Sequence, residues 1–519
     1  MPSSHQRIEI VRRTYYDSVT LMLVAKELLK DGSLSAASLS MGTEANYKIL
    51  GSGGFDLDGV DATPNDLIIA IKTDAPEAER ESVLTAALEK AKEYLANPPG
   101  RKADSGGDYR PKSLEGALSV LPDANLALIS VAGKYAGDLA MDCIGKGLNV
   151  MLYSDNVPVE KEVEIKKAAA EKGLLVMGPD CGTLIVRGVA MGMANACPPG
   201  PVSIVAAAGT GLQEVHVQLA KRGVGVLHGI GTGGRDVRRE VGGIMCLQAV
   251  NALLADGEVE VLTVLGKPPA PEVEQKILQA VKAGKKPAVL GFIGGEAKGD
   301  SDGVFICREL EETAAVAAAL AKGEDGVRAR ENLFREYEAL RQRAETIGKR
   351  KGYLRGLYSG GTLCYEGQLI ARDILGPIRS NTPLEKEMKL EDSLKSEQHS
   401  MVDYGEDEFT QGRLHPMIDV SLRAERIYEE ARDPEVGVIL FDVVLGYGCN
   451  DNPAAGLAEG IRKARSVAGD RIAFVASICG VDTDPQNASE QRKILEELGV
   501  HVCDSNARAA RLAAMILEG

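Results

Sequence analysis

The sequence contains no tryptophan and only seven phenylalanines among 519 residues, whereas glycine occurs 58 times. Small residues at this frequency are typical of tightly packed α/β layers joined by short loops. The hydrophobic content of 44% argues against disorder over most of the chain. Because a single hydrophobic core rarely grows beyond about 250 residues, we expect several domains.

The chain also lacks an excess of positive charge. It has 60 Lys and Arg against 75 Asp and Glu, a formal net charge of −15, so a broad basic surface for nucleic acid or anionic lipid is not expected. No apolar run reaches the roughly 20 residues that span a bilayer, and the first residues lack the apolar core of a signal peptide. We therefore expect a cytoplasmic protein without nucleic-acid or membrane partners, which binds any anion locally.

The cysteines form no CxxC pair and no Cys/His cluster at metal-ligand spacing. Their odd number fits reduced thiols better than a disulfide framework, and we expect no structural metal. The nine positions are Cys143, Cys181, Cys197, Cys246, Cys307, Cys364, Cys449, Cys479 and Cys503.

After an amino-terminal α+β unit, short apolar strands alternate with helices, which predicts parallel sheets covered on both faces. The fold class expected is α/β, with tandem doubly wound parallel-sheet domains. Residues 97–113 concentrate Pro, Gly and charge and predict a linker, and residues 383–412 are acidic and predicted to be irregular. The expected divisions are an α+β domain at 1–105, doubly wound domains at 106–197, 198–323 and 352–519, and a helical linker at 324–351.

Two segments, 203–220 and 354–371, repeat one pattern: an apolar strand, a glycine-rich turn and a helix. A turn without large side chains exposes N–H groups at the positive end of a helix, where anions bind. A single such turn is more often ordinary capping, but its duplication favours two helix ends that face one phosphate. The candidate phosphate ligands are Ala208, Gly209, Thr210, Gly211, Ser359, Gly360, Gly361 and Thr362.

Several motifs in order resemble the α subunit of succinyl-CoA synthetase, including MGPDCGTLI at 177–185 and HGIGTGGRD at 228–236. Residues 354–519 resemble the carboxy-terminal domain of its β subunit. Together with TYYDSVTLM at 14–22 and FTQGRLHPMID at 409–419, this combination is similar to the FdrA proteins. The resemblance implies a CoA-binding-type Rossmann-like domain at 106–197 and two flavodoxin-like synthetase-type domains.

Three departures from the synthetases bear on function. The region corresponding to the phosphohistidine loop, residues 291–309, contains no histidine. The glycine-rich loop that begins the family's CoA site is replaced by the α+β unit and linker. No block of the chain corresponds to the ATP-grasp domain that binds nucleotide.

The FdrA resemblance implies one subunit of a carbamoyltransferase that moves a carbamoyl group between oxalurate and phosphate, giving oxamate and carbamoyl phosphate. Phosphate or carbamoyl phosphate would be a substrate, no cofactor is certain, and CoA is left open. Separate partner subunits and an oligomer are expected. The alternatives are a subunit of an NDP-forming acyl-CoA synthetase that borrows an ATP-grasp partner, and a non-catalytic scaffold of the same fold.

Other candidates lie where predicted strands end, the edge at which open α/β sheets bind ligands. For catalysis the candidates are Lys267, Arg235 and His415, each with a structural alternative: a solvated lysine, a surface ion pair, and a satisfied loop histidine. Cys181 is more simply a packed thiol than a nucleophile. The predicted substrate-binding residues are Asp180, Cys181, Gly233, Gly234, Cys449 and Asn450.

Overall fold

The computed structural model describes residues 5–12, 14, 16, 18–30, 32–96, 111, 113–295, 299–410 and 413–518. Nearly all of the predicted linker at 97–113 lies outside these residues. The chain divides into two compact units, one of residues 1–110 with 405–425 and one of residues 111–404 with 426–519. Among the described residues, no helix combines the length and hydropathy needed to cross a bilayer.

The first unit contains an antiparallel sheet of three strands in the order β1-β3-β2. Alternate residues of β3 face opposite sides of the sheet, so that Ile69 packs among Leu21 and Leu88 while Ile68 packs against Phe55. The elements are β1 Gln6–Val11, α1 Ser18–Leu29, β2 Ala36–Met41, α2 Glu44–Ser52, β3 Leu67–Lys72 and α3 Glu77–Ala96. Helix α2 was not predicted, although Thr43 accepts a capping hydrogen bond from the N–H of Asn46.

The second unit begins with a parallel sheet of three strands, β4-β5-β6. Helix α5 begins directly behind the end of β4, and a β-carbon built on its first residue, Gly133, would lie 2.1 Å from the carbonyl oxygen of Asp155. Glycine is therefore required at this helix start. The elements are α4 Leu114–Val120, β4 Leu126–Ile129, α5 Gly133–Gly145, β5 Asn149–Leu152, α6 Val159–Glu171 and β6 Val176–Met177.

The next sheet has seven strands in the order β13-β12-β11-β9-β10-β7-β8, parallel except for the pairings of β7. Strands β7 and β8 had been assigned by sequence to the domain ending at residue 197. They join this sheet instead because Leu184 pairs with Ile230 across an antiparallel edge. The elements are β7 Thr183–Val186, β8 Val189–Gly192, β9 Val202–Ala207, α7 Gly209–Lys221, β10 Val226–Gly231, α8 Ile244–Ala255, β11 Val261–Gly266, α9 Pro271–Ala283, β12 Ala288–Phe292, β13 Val304–Ile306 and α10 Leu310–Ala321.

The predicted helical linker is two helices, α11 Gly326–Glu338 and α12 Leu340–Ile347. Apolar residues recur at helical spacing along residues 324–351 and predict a narrow stripe that docks on neighbouring elements. Four of its five members are buried and the last, Ile347, is only partly buried; the buried ones are Leu333, Tyr337, Leu340 and Ala344.

The last sheet is parallel throughout, in the order β15-β16-β14-β17-β18-β19. Strand β16 lies inside the segment predicted to be irregular, and it pairs with the central strand β14. The elements are β14 Tyr353–Tyr358, α13 Gly361–Leu375, β15 Arg379–Ser380, β16 Ser400–Asp403, α14 Asp407–Thr410, α15 Ser421–Arg432, β17 Val436–Val444, α16 Pro453–Ala468, β18 Ala473–Cys479, α17 Ala488–Glu497, β19 His501–Cys503 and α18 Asn506–Leu517.

Residues 405–425 had been placed by sequence inside the last domain, but they group with the first unit. Helix α14 contacts α2, and Phe409 is buried. The fold class is the one predicted: a mixed α/β protein built largely on parallel sheets.

Candidate functional site

The two predicted glycine turns lie at the carboxyl ends of β9 and β14, and each leads directly into a helix, α7 or α13. Neither helix start receives a side-chain capping bond, because the N-cap residues are Ala208 and Gly360. The first N–H groups of a helix have no partner within the helix. Both turns can therefore present main-chain donors to an anion.

The two helix starts contact each other reciprocally. A β-carbon built on Gly360 would lie 2.9 Å from Cγ2 of Thr210, and one built on Gly211 would lie 3.0 Å from Cγ2 of Thr362. Thr210 and Thr362 are the second residues of α7 and α13, and each packs against a glycine of the other turn. The duplicated turns thus form one structure, which we call the paired turn and define as Ala208–Gly211 with Gly360–Thr362.

A buried carboxylate already occupies part of the second turn. The carboxylate of Asp442 accepts hydrogen bonds from the N–H groups of Ser359 and Gly360, both at 2.8 Å, and from the Ser359 hydroxyl at 3.1 and 3.0 Å. The predicted role of Ser359 and Gly360 as phosphate donors is therefore corrected: their donors are used inside the protein. A second carboxylate, that of Asp403, lies 2.5 Å from a β-carbon built on Gly361.

Replacing Asp442 by asparagine should destabilise the second unit by about 2 to 3 kcal/mol, because an amide NH₂ would face a buried N–H donor. The shift in the urea unfolding midpoint measures this cost. Asp470→Asn, at an exposed position on the same sheet's periphery, is the matched control. An unchanged midpoint for Asp442→Asn would show that the carboxylate does not stabilise the turn.

Lys267 follows β11 at the carboxyl edge of its sheet, as predicted. Its ammonium lies 5.6 Å from the centroid of the Tyr365 ring, and Tyr365 stands one helical turn after Thr362 on α13. A cation on an aromatic face at this distance is attracted by the ring. Lys267 therefore contributes positive charge beside the first turns of α13.

Arg235 is committed to another partner. Its Nε lies 2.9 Å from Oε2 of the fully buried Glu162, and its Nη2 donates to the carbonyl oxygen of Val157 at 2.7 Å. The predicted catalytic role is corrected, because a guanidinium that neutralises a buried carboxylate is not available to a substrate.

The same buried network contains Lys166, whose ammonium contacts Glu162 Oε1 and Asp236 Oδ1 at 2.8 Å each and donates to the carbonyl oxygen of Thr232 at 2.9 Å. Asp236 also accepts from the first N–H groups of α8. The network fixes both ends of the Thr232–Asp236 loop, which contains Gly233 and Gly234. Gly233 has a φ of +84°, and a β-carbon there would lie 2.4 Å from the carbonyl oxygen of Pro179.

His415 belongs to the first unit. Burial, with a smaller contribution from the nearby Arg423, lowers the pKa of His415 to about 4. Its Nδ1 accepts a hydrogen bond from the N–H of Met417 at 3.3 Å. These contacts match the satisfied loop histidine that the sequence left open, and we place no catalytic step on it.

The predicted substrate-binding cysteines carry protons near neutral pH. Burial raises the pKa of Cys181 to about 12 and that of Cys449 to about 12. The pKa of Tyr153 is raised mainly by burial, and also by the nearby thiols of Cys449 and Cys181 and the carboxylate of Asp180. The residues predicted from two distant loops are thus neighbours, but the thiols are poor nucleophiles.

Asn450 turns its side chain back on its own loop, where its Oδ1 accepts from the N–H of Asn452 at 3.0 Å. The Asn450 side chain thus supports the turn, the alternative that the sequence left open. The start of this loop is held by Asn195 and Gln213, whose amides donate to the carbonyl oxygen of Leu445 at 3.1 and 3.3 Å. Because Gln213 lies on α7, these bonds tie the loop to the paired turn.

Sequence reasoning missed a glutamate pair in the repeat. Each paired-turn helix continues as Gly-Thr followed by Glu at the sixth position, Glu214 in α7 and Glu366 in α13. Both are buried, at 1% and 0% exposed. A comparison of the two repeats residue by residue would have found them; Asp403, Asp442 and Lys166 carry no such signal, because only the fold brings them to the site.

Burial raises the pKa of Glu366 to about 8, and Glu309 adds to the effect. Since the pKa of Glu366 in the folded state is raised above its ordinary value of 4.5, the folded state holds a proton that the unfolded state releases. The contribution of Glu366 to stability is present at low pH and is lost as pH rises toward about 8.

We therefore expect the unfolding free energy of Glu366→Gln, relative to wild type, to rise steadily between pH 5 and pH 8. Urea unfolding of both proteins at several pH values measures this difference, and Glu496→Gln on the surface helix α17 is the control. A pH-independent difference would mean that Glu366 is already ionised at pH 5.

Three family models match the chain. One described as a CoA-ligase covers residues 357–516, one described as a CoA binding domain covers 199–294, and one described as an AllF heavy metal-associated domain covers 4–111. The CoA-binding match thus falls on the sheet that contains β9, not on residues 106–197, where the sequence analysis had placed its CoA-binding-type domain.

The chain is 38% identical over 518 residues to the uncharacterized protein YahF of Escherichia coli, covering 98% of each chain. This chain belongs to the FdrA-like family. A succinate–CoA ligase subunit alpha 2 of Archaeoglobus fulgidus is 25% identical to it over 177 residues, 33% of this chain and 60% of that subunit. The solved acetyl-coenzyme A synthetase 1 of Ca. Korarchaeum cryptofilum is 13% identical to this FdrA-like chain. The structural match covers 76% of this chain and 82% of the synthetase chain, with a TM-score of 0.30.

The match to a heavy metal-associated domain at residues 4–111 does not fit the metal-binding side chains that this FdrA-like chain has there. The first cysteine is Cys143, and the matched segment contains a single histidine, His5. Among the described residues no group of three His, Cys, Asp or Glu side chains could hold a metal ion. Soft metal ions prefer thiolate or imidazole ligands, and the matched segment offers no cysteine and one histidine.

Proposed function

We propose that the chain is one subunit of a carbamoyltransferase that converts oxalurate and phosphate into oxamate and carbamoyl phosphate. The observation that carries the proposal is the paired turn, in which two uncapped helix starts contact each other through Thr210 and Thr362. Main-chain donors fixed in advance at such a place stabilise the charge of a bound phosphate. Membership of the FdrA-like family supports the choice of reaction.

In the proposed reaction, a phosphate oxygen held by the first turn of α7 attacks the carbamoyl carbon of oxalurate. The carbon–nitrogen bond to oxamate breaks, and the departing nitrogen takes a proton. The ammonium of Lys267 is our candidate donor, because it stands beside α13 at the end of β11. The carboxylates of Asp403 and Asp442 bias the phosphate toward α7, since like charges repel at the start of α13.

A second candidate is a subunit of an NDP-forming acyl-CoA synthetase, which the CoA-binding and CoA-ligase matches favour. The absence of histidine from residues 291–309 weighs against a phosphohistidine route. A catalytically inert scaffold would have no packing need of Gly209, where a built β-carbon meets no atom within 4 Å.

The test uses the chain purified together with its co-encoded partner subunits, which we propose are required. Phosphate-dependent formation of oxamate and carbamoyl phosphate from oxalurate is followed in parallel with CoA- and ATP-dependent thioester formation. Turnover in the first assay supports the carbamoyltransferase. Turnover in the second assay alone would replace it with the synthetase, and turnover in neither would favour the scaffold.

A further inference from the structure

The two helices of the paired turn are joined below the surface by a buried asparagine. Asn506, the first residue of α18, donates from its main-chain N–H to Oε1 of Glu214 at 3.3 Å and from Nδ2 to Oε2 of Glu366 at 2.7 Å. The same Nδ2 lies 2.9 Å from the carbonyl oxygen of Leu363. One residue therefore contacts α7 through its main chain and α13 through its side chain, at equivalent positions of the repeat.

The two glutamates also cap helices of the opposite repeat. Glu366, on α13, accepts from the N–H of Leu310 at the start of α10, at 2.7 Å. Glu214, on α7, accepts from the N–H of Asn506 at the start of α18. Each glutamate thus reaches across to the other half, and α7 and α13 are fixed to each other and to two further helices.

All three side chains are buried, with Asn506 and Glu366 at 0% exposed and Glu214 at 1%. A polar group buried at such a place costs free energy unless it is hydrogen-bonded, so these bonds favour one defined geometry of the two helices. The first turns of α7 and α13 lie five residues before the glutamates, little more than one helical turn away.

We propose that Asn506 is a positioning residue of the phosphate site: through Glu214 and Glu366 it sets the relative placement of α7 and α13 and thereby the geometry of the paired turn. This inference rests on the proposed function for its ligand, but not for the bridge itself. Asn506 touches no substrate in this proposal and acts only through the two helices.

The experiment exchanges the two bridging groups. The titrations are run at pH 9, above the raised pKa of Glu366, so that the Glu366 carboxylate is ionised. In Asn506→Asp the Nδ2 donor is then lost and two carboxylates face each other, so inorganic phosphate should bind about tenfold more weakly, the cost of a lost hydrogen bond to a charged group. In the double variant Asn506→Asp with Glu366→Gln, an amide donor and a carboxylate acceptor face each other again with their places exchanged. Phosphate affinity should then recover to within about threefold of wild type.

Two readouts are used on the purified full-length chain: calorimetric titration with inorganic phosphate, and amide hydrogen exchange of residues 209–213 and 361–365. Asn506→Asp should accelerate exchange in both segments, and the double variant should reverse it. Asn506→Ser, which adds no charge, is measured as well in case Asn506→Asp fails to fold. Asn487→Ala, at the start of α17, controls for the loss of an asparagine side chain at a helix start outside the bridge.

The outcomes separate the two proposals. If wild type binds no phosphate at millimolar concentration, the proposed function loses its support, while the exchange data still decide whether the bridge places the helices. If wild type binds phosphate and the double variant stays as weak as Asn506→Asp, the positioning role is overturned. Exchange changes confined to α18 would overturn it as well.

Discussion

Replacing Gly209 by valine should reduce phosphate-dependent turnover by at least about 100-fold while the protein remains folded, a loss comparable to removing one preorganised donor in an anion-stabilising site. No atom lies within 4 Å of a β-carbon built on Gly209, so a valine side chain fits without moving the protein. The same space lies at the first turn of α7, where the phosphate is proposed to bind, and the valine methyl groups would fill it. Steady-state kinetics with partner subunits present and phosphate titration of the chain alone measure the loss.

Gly257→Val is the matched control, because a β-carbon there also meets no atom within 4 Å and the residue lies in an exposed turn. Gly361→Val is a poorer probe than its repeat partner, since a β-carbon on Gly361 would lie 2.5 Å from the Asp403 carboxylate and move it. Wild-type rates in Gly209→Val would place the phosphate elsewhere.

Replacing Lys166 by methionine should destabilise the second unit by about 3 to 5 kcal/mol, the range for breaking a buried ion pair by removing one partner. The ammonium contacts the carboxylates of Glu162 and Asp236, both 0% exposed. The substitution leaves Glu162 with Arg235, and Asp236 with the main-chain donors at the start of α8. Urea unfolding at pH 7 measures the change in unfolding free energy.

Lys167→Met is the control, since Lys167 is the exposed neighbour on the same helix, α6. We expect its effect to stay within about 0.5 kcal/mol, as for most surface substitutions. A small effect for Lys166→Met would mean that the two carboxylates carry protons in its absence at little cost.

The corrections to the predicted site share one physical cause. Arg235, Ser359 and Gly360 were chosen because their donors suit phosphate, but the structure supplies internal carboxylates, Glu162 and Asp442, that take those donors. Glu162 lies 73 positions from Arg235, and Asp442 lies 82 positions or more from Gly360 and Ser359. A local motif shows which groups can bind an anion. It does not show whether a carboxylate of the protein itself already occupies those groups.

The amino-acid sequence by itself determined the fold class, because apolar strands alternating with helices have few arrangements other than covered parallel sheets. It also determined the repeat, and with it the two glycine turns. Only the tertiary structure decided that the two glycine turns pack together, that Asn506 joins the two glutamates, and that residues 405–425 group with the amino-terminal unit. Such contacts join residues that are far apart in the chain. Their distances are set by the packing of whole elements, which the spacing of residues in the sequence does not determine.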